Sequence, residues 1–152
     1  MGVIYASFGT SRTGPPPGRA PVPQSRPAPR LLLYDADALM GKMLARRFGV
    51  LGFPAEHAVT AQAVVARAAR ERPDLLVVHA GPGGGGDFGL IGDVRALPGL
   101  QALPALVLDQ AASRSRGERC AALGAAGYLG WPLRPAELTV AIGQALQGAR
   151  TQ

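Results

Sequence analysis

Three polar residues close apolar runs in this sequence. Asp35 follows Leu31-Leu32-Leu33-Tyr34, His79 follows Leu75-Leu76-Val77-Val78, and Asp109 follows Ala105-Leu106-Val107-Leu108. Short apolar runs are buried-strand signals, so each polar residue stands where a strand leaves the core. Two carboxylates and an imidazole brought together could form a charge-compensated cluster, or offer nitrogen and oxygen donors to a transition metal. A second pattern competes. Gly81-Pro82-Gly83-Gly84-Gly85-Gly86 satisfies G-x-G-x-x-G directly after a strand, and Asp109 lies about where a ribose-binding acid is expected. Against a dinucleotide site stand Pro82, which removes an amide from any phosphate cradle, the short helix that follows, and the little chain left for a second nucleotide half. The alternative function that remains is a small nucleotide- or metal-binding α/β enzyme using the Gly81–Gly86 loop.

Nucleophilic chemistry finds little material. Cys120 falls on a predicted helix beside Arg119 and reads as an inert packing thiol. Ser113 and Ser115 lie in an arginine-rich turn without an adjacent base, and His57, in a weak strand, reads as a surface or edge residue. One cysteine permits no internal disulfide and no four-cysteine zinc site, which fits a reducing cytoplasm.

The elements that must position these residues follow from pattern. The chain has 152 residues, of which 47% are hydrophobic and 17% charged, so one domain with a substantial core is expected. No apolar run reaches the ~20 residues that span a bilayer, and Met1 to Thr10 carries no basic side chain, so it does not read as a secretory signal. The net charge of +6 is unevenly placed: residues 1–30 hold four arginines and no acid, whereas residues 31–152 hold twelve basic and ten acidic side chains. Seven of the fourteen prolines fall between Pro15 and Pro29. Proline lacks an amide hydrogen and keeps its predecessor extended, so residues 1–29 are expected to form a disordered, polyproline-II-like leader. It reads as a solvated tail, with a groove ligand or a weak anionic-polymer binder as lesser readings.

Residues 30–148 then read as alternating strands and helices, with 149–152 as a tail. Helical periodicity places helices near Leu39–Phe48, Gln62–Arg72, Phe88–Leu97, Arg114–Leu123 and Pro135–Leu146, and a weak strand near Ala55–Thr60. Gly127-Tyr128-Leu129 is a short last strand. Strands that are apolar throughout and alternate with helices imply a parallel sheet covered on both faces, with ligands beyond the C-terminal strand ends.

The order and spacing resemble the receiver domain of bacterial two-component response regulators over about Arg30 to Leu146. The resemblance rests on Leu33-Tyr34-Asp35-Ala36-Asp37, on Arg72-Pro73-Asp74-Leu75-Leu76-Val77-Val78, on Arg95 to Leu100 followed by Leu103 to Leu108, and on Gly124 to Leu133. It implies a flavodoxin/CheY-like (βα)5 fold: α/β, five-stranded, parallel and doubly wound, with strand order 2-1-3-4-5. Receivers of this family are phosphorylated on an aspartate after the third strand. Two acids after the first strand help hold magnesium, a Ser/Thr follows the fourth, and a lysine precedes a proline after the fifth.

Carried over by position, His79 occupies the acceptor place, Asp35-Ala36 the acid pair with Asp37 just beyond, Asp109 the hydroxyl place, and Trp131 the lysine place; Asp35 and Pro132 match the family pattern. Magnesium prefers oxygen ligands, and Ala36 and His79 remove two of them. No aspartyl phosphate can form at His79, Asp109 would repel a phosphoryl group, and Trp131 cannot neutralise one. The expectation is a pseudo-receiver: a stand-alone, non-enzymatic signalling module without metal or cofactor, acting by phosphorylation-independent protein contact. Its degenerate pocket is Asp35, Ala36, Asp37, His79, Asp109, Trp131 and Pro132. In it a protonated His79 between two carboxylates substitutes for metal and phosphate, Trp131 lies over it as a lid, and the resemblance makes Trp131-Pro132 cis. The same resemblance points to the fourth helix, fifth strand and fifth helix as the face for a protein partner or homodimer. Arg114, Arg116 and Arg119 read as a solvated basic patch. No recognition helix for nucleic acid and no membrane segment is expected.

Overall fold

The computed structural model describes residues 27–83 and 88–150. The leader, apart from residues 27–29, lies outside the described residues, as do Gly84 to Asp87 of the glycine-rich loop. Five strands form one sheet: β1 (Leu31–Tyr34), β2 (Ala55–Ala58), β3 (Leu75–Ala80), β4 (Ala105–Asp109) and β5 (Gly127–Gly130). They alternate with α1 (Ala38–Val50), α2 (Ala61–Glu71), α3 (Gly89–Arg95), α4 (Arg114–Ala122) and α5 (Pro135–Arg150). The order is β2-β1-β3-β4-β5 and all four pairings are parallel, which is the expected doubly wound topology. The last helix runs beyond its expected end at Leu146 to Arg150.

Local chemistry sets where the helices begin. Asp37 caps α1 by accepting the amides of Leu39 and Met40, Thr60 caps α2 through Ala63, and Ser113 caps α4 through Arg116. These side-chain oxygens satisfy amides that have no partner within the helix. Before α5, the Arg134 amide donates to Glu137 Oε1 at 2.9 Å, the reverse half of a capping box.

The pleat divides the core into two layers. Leu31, Leu33, Leu75, Val77, Leu106 and Leu108 pack with α1 and α5 through Leu44, Phe48, Leu138 and Ile142. Leu32, Leu76, Val78 and Val107 pack with α2, α3 and α4 through Val64, Ala68, Leu90, Ile91 and Cys120. Successive strand residues point to opposite faces, so any polar residue near a strand end is assigned to one layer by its parity. That rule decides the geometry of the site.

Candidate functional site

Register aligns Leu33 with Val77, and two residues further on Asp35 comes abreast of His79 on the α1/α5 face. Both side chains are almost wholly buried, and His79 Nδ1 stands 2.9 Å from Asp35 Oδ2. The approach is a close electrostatic contact and not a well-directed hydrogen bond. On the other side of the ring, Gln110 Nε2 lies 3.2 Å from His79 Nε2. Trp131 meets the imidazole edge-on, with ring centroids 5.7 Å apart and planes at 85°, and its peptide bond to Pro132 is cis.

Asp109 is not part of this pair. It follows Leu108, which is abreast of His79, so it turns to the opposite face, the α2–α4 side. There it is fully buried and gathers its own partners. Arg116 approaches side-on, with Nε 2.7 Å from Oδ2 and Nη2 3.2 Å from Oδ1. The Tyr128 hydroxyl donates to Oδ2 at 2.7 Å, and the Ala111 amide donates to Oδ1 at 2.9 Å. The expected imidazolium between two carboxylates is therefore corrected to two separate units, Asp35–His79 and Asp109–Arg116–Tyr128, one on each face of the sheet.

The second unit is the stronger electrostatic feature. Burial raises the Asp109 pKa, but hydrogen bonds from Arg116, Tyr128 and the Ala111 amide, with the Arg116 charge, outweigh it and hold the carboxyl below its ordinary 3.8. Its hydrogen bond to Asp109 raises Arg116 further, and burial followed by the phenol's own hydrogen bond to Asp109 raises Tyr128. Arg116 also lies over the Phe88 ring, 4.8 Å from its centroid. The Tyr128 hydroxyl in turn accepts the Ser113 amide at 3.1 Å, tying the start of α4 to β5. The close approach needs Gly117, where a Cβ would stand 3.0 Å from the Tyr128 ring. Of the basic patch expected to be solvated, Arg116 is thus turned inward, whereas Arg114 remains exposed beside Glu118.

The remaining candidates have structural assignments. Ala36 is exposed and offers no donor; Asp37 is committed to the α1 cap. Pro132 is exposed. His57, expected at the surface or an edge, is half-buried on the edge strand β2: its Nε2 is 3.1 Å from the Asp35 carbonyl, and its ring fills the space over Gly41 that a Cβ there would need. Burial, then the Asp109 charge, raises the Cys120 thiol, as an unreactive packing residue requires. Among the described residues no three His, Cys, Asp or Glu side chains converge as a metal site. Sequence reading missed Gln110, Tyr128 and Arg116. Parity could have found Tyr128, since β5 pairs it with Val107, whose face Asp109 shares.

No protein-family model and no curated protein matches the chain. Solved structures do. A response regulator receiver domain protein (CheY-like) from Methanospirillum hungatei JF-1 superposes with a TM-score of 0.70 at 20% identity, covering 81% of this chain and 97% of that one. The Vibrio cholerae chemotaxis protein CheY4 gives 0.69 at 21% identity, with 77% and 98% covered. A response regulator receiver domain protein from Clostridium thermocellum gives 0.70 at 12%, with 81% and 98% covered. The chain therefore has the CheY-like receiver fold. Among the described residues no helix is long and apolar enough to cross a membrane.

Proposed function

We propose that this chain is a receiver-like signalling module of the two-component type that works in the cytoplasm without phosphorylation, as a protein-binding partner and not as an enzyme. One observation carries the reading: the strand ends that would host phosphoryl chemistry are closed by internal pairing. His79 stands at the acceptor place against Asp35, and the Asp109 carboxylate is saturated by Arg116, Tyr128 and Ala111. An imidazole there cannot form an aspartyl phosphate, and Asp35 faces it in place of a magnesium ion. Trp131 supplies an aromatic edge where a cation would be needed to neutralise the transferred group.

The contact is assigned to the α4–β5–α5 face and to a protein partner. Leu129, Leu133, Ala136, Val140 and Ala141 make an apolar groove there, with Val140 exposed. The Tyr128 hydroxyl joins Asp109 to the Ser113 amide at the start of α4, an internal tie that favours signalling by presence or abundance over signalling by a phosphoryl switch. The test is incubation of the full chain with acetyl phosphate and magnesium, read by intact mass. No phosphoryl adduct is expected; a stoichiometric phosphoryl adduct, on a carboxylate or on His79, would overturn the reading.

A further inference from the structure

The sheet is open along β2, its outermost strand. The Leu31 amide donates to the Pro54 carbonyl and the Asp35 amide to the Ala58 carbonyl. In a parallel ladder alternate residues of a strand turn both main-chain groups to the same neighbour, so residues 54, 56 and 58 face β1. The amides and carbonyls of Ala55 and His57 therefore point away from the sheet, and none of these four groups has a partner among the described residues. A row of free main-chain donors and acceptors is a template for one more strand.

The edge also offers room for a side chain. A cavity of about 350 Å³ adjoins its first half, with Leu32, Pro54, Ala55, Glu56, Arg67 and Glu71 in its lining. Arg67 already pairs with Glu56, so the surface still to be covered is mainly apolar. Just past the strand, Val59 is 40% exposed. Main-chain pairing with a side-chain pocket alongside is how an added strand is recognised. Residues 1–26 lie outside the described residues, and their sequence contains one run with strand character. Val3-Ile4-Tyr5-Ala6-Ser7-Phe8 is rich in β-branched and aromatic residues and is bounded by Gly2 and Gly9. The prolines begin only at Pro15. Residues 9–26 can reach roughly 60 Å when extended, and the chain enters the fold at Arg30, which lines the same cavity. The run is thus tethered beside the open edge, where a tether gives it a high effective concentration.

We infer that the open edge of β2 is the docking site of this chain's own run Val3–Phe8, which pairs with the main chain of Ala55 and His57 and sets one large side chain in the cavity beside Glu56. An antiparallel course brings Phe8 to the end of the sheet at which Arg30 enters β1, and parallel sheets commonly carry one antiparallel edge strand. Docked there, the run closes an edge through which two copies of the sheet would otherwise join. The edge is separate from the α4–β5–α5 groove, and the inference does not depend on the state of the Asp35–His79 pocket.

Amide hydrogen exchange of the full chain, read residue by residue by NMR, tests this. The Ala55 and His57 amides are expected to exchange slowly in the full chain and about tenfold or more faster once residues 1–9 are deleted. The double variant Ile4→Pro/Tyr5→Pro removes ladder donors on both sides of the run and is expected to act in the same direction. Unchanged exchange in β3 and β4 shows that both variants keep the fold. The inference is overturned if Ala55 and His57 exchange alike in all three proteins, or if the amides released by the deletion lie elsewhere. Protection of Ala55 and His57 that grows with protein concentration would also overturn it, because the strand would then come from a second copy.

Discussion

Replacing Arg116 with alanine is expected to cost about 3 kcal/mol in urea unfolding, because it leaves a fully buried carboxylate without its compensating charge. The Asp109→Leu/Arg116→Met double replacement should recover most of that loss, since removing both charges removes the desolvation cost as well. The pH dependence has a definite sign. The folded-state pKa of Asp109 is depressed, so its pairing contributes stability above the unfolded value near 3.8 and loses it as pH falls through the lower folded value. The gap between wild type and Arg116→Ala should therefore narrow in acid below about pH 4. A gap that stays constant to pH 2.5 or widens would mean that the pair is not what Arg116 contributes.

Phe88→Ala is expected to be at least as damaging, at about 3–5 kcal/mol. The ring is buried in the layer formed with α2, α3 and α4, and its face carries the Arg116 guanidinium. Cavity formation alone would make the loss independent of Arg116. A double-mutant cycle with Arg116→Ala should instead show a coupling of about 0.5–2 kcal/mol, because the ring and the carboxylate hold the same guanidinium from two sides. Additive losses would show that the ring contributes packing only.

The fold was legible because the three central strands, β1, β3 and β4, are apolar runs with a polar residue only at or near the end, whereas the edge strand β2 carries Glu56 and His57 and was only weakly signalled. Every residue of β3 is buried, and such runs separated by helical periodicity leave few arrangements other than a covered parallel sheet. Helix starts were legible where proline stands at the first helical position, as at Pro135; the end of α5 was not, because the helix runs through Gly148, a residue type that reads as a stop signal, to Arg150. In the site, the Asp35–His79 contact followed from strand order. The assignment of Asp109 to the same cluster failed because strand ends were treated as points. The pleat turns Asp109 away from His79 although β3 and β4 are neighbours. Arg116 was hidden for a different reason: Arg114 to Arg119 reads as a uniformly solvated stretch, and only the buried acid reached from α4 distinguishes one arginine from the next.

If its own side chains close the strand-end pocket, as proposed, neither a metal ion nor a phosphoryl group can enter it. Two-dimensional amide NMR of the full chain, titrated with magnesium and then with beryllofluoride, a phosphoryl mimic, reads this exclusion at each strand end. The resonances of Asp35, His79, Asp109 and their neighbours should stay in place through both additions. A saturable, concerted shift of those resonances would contradict it, because the pocket would then bind the ligands that its internal pairing is held to exclude.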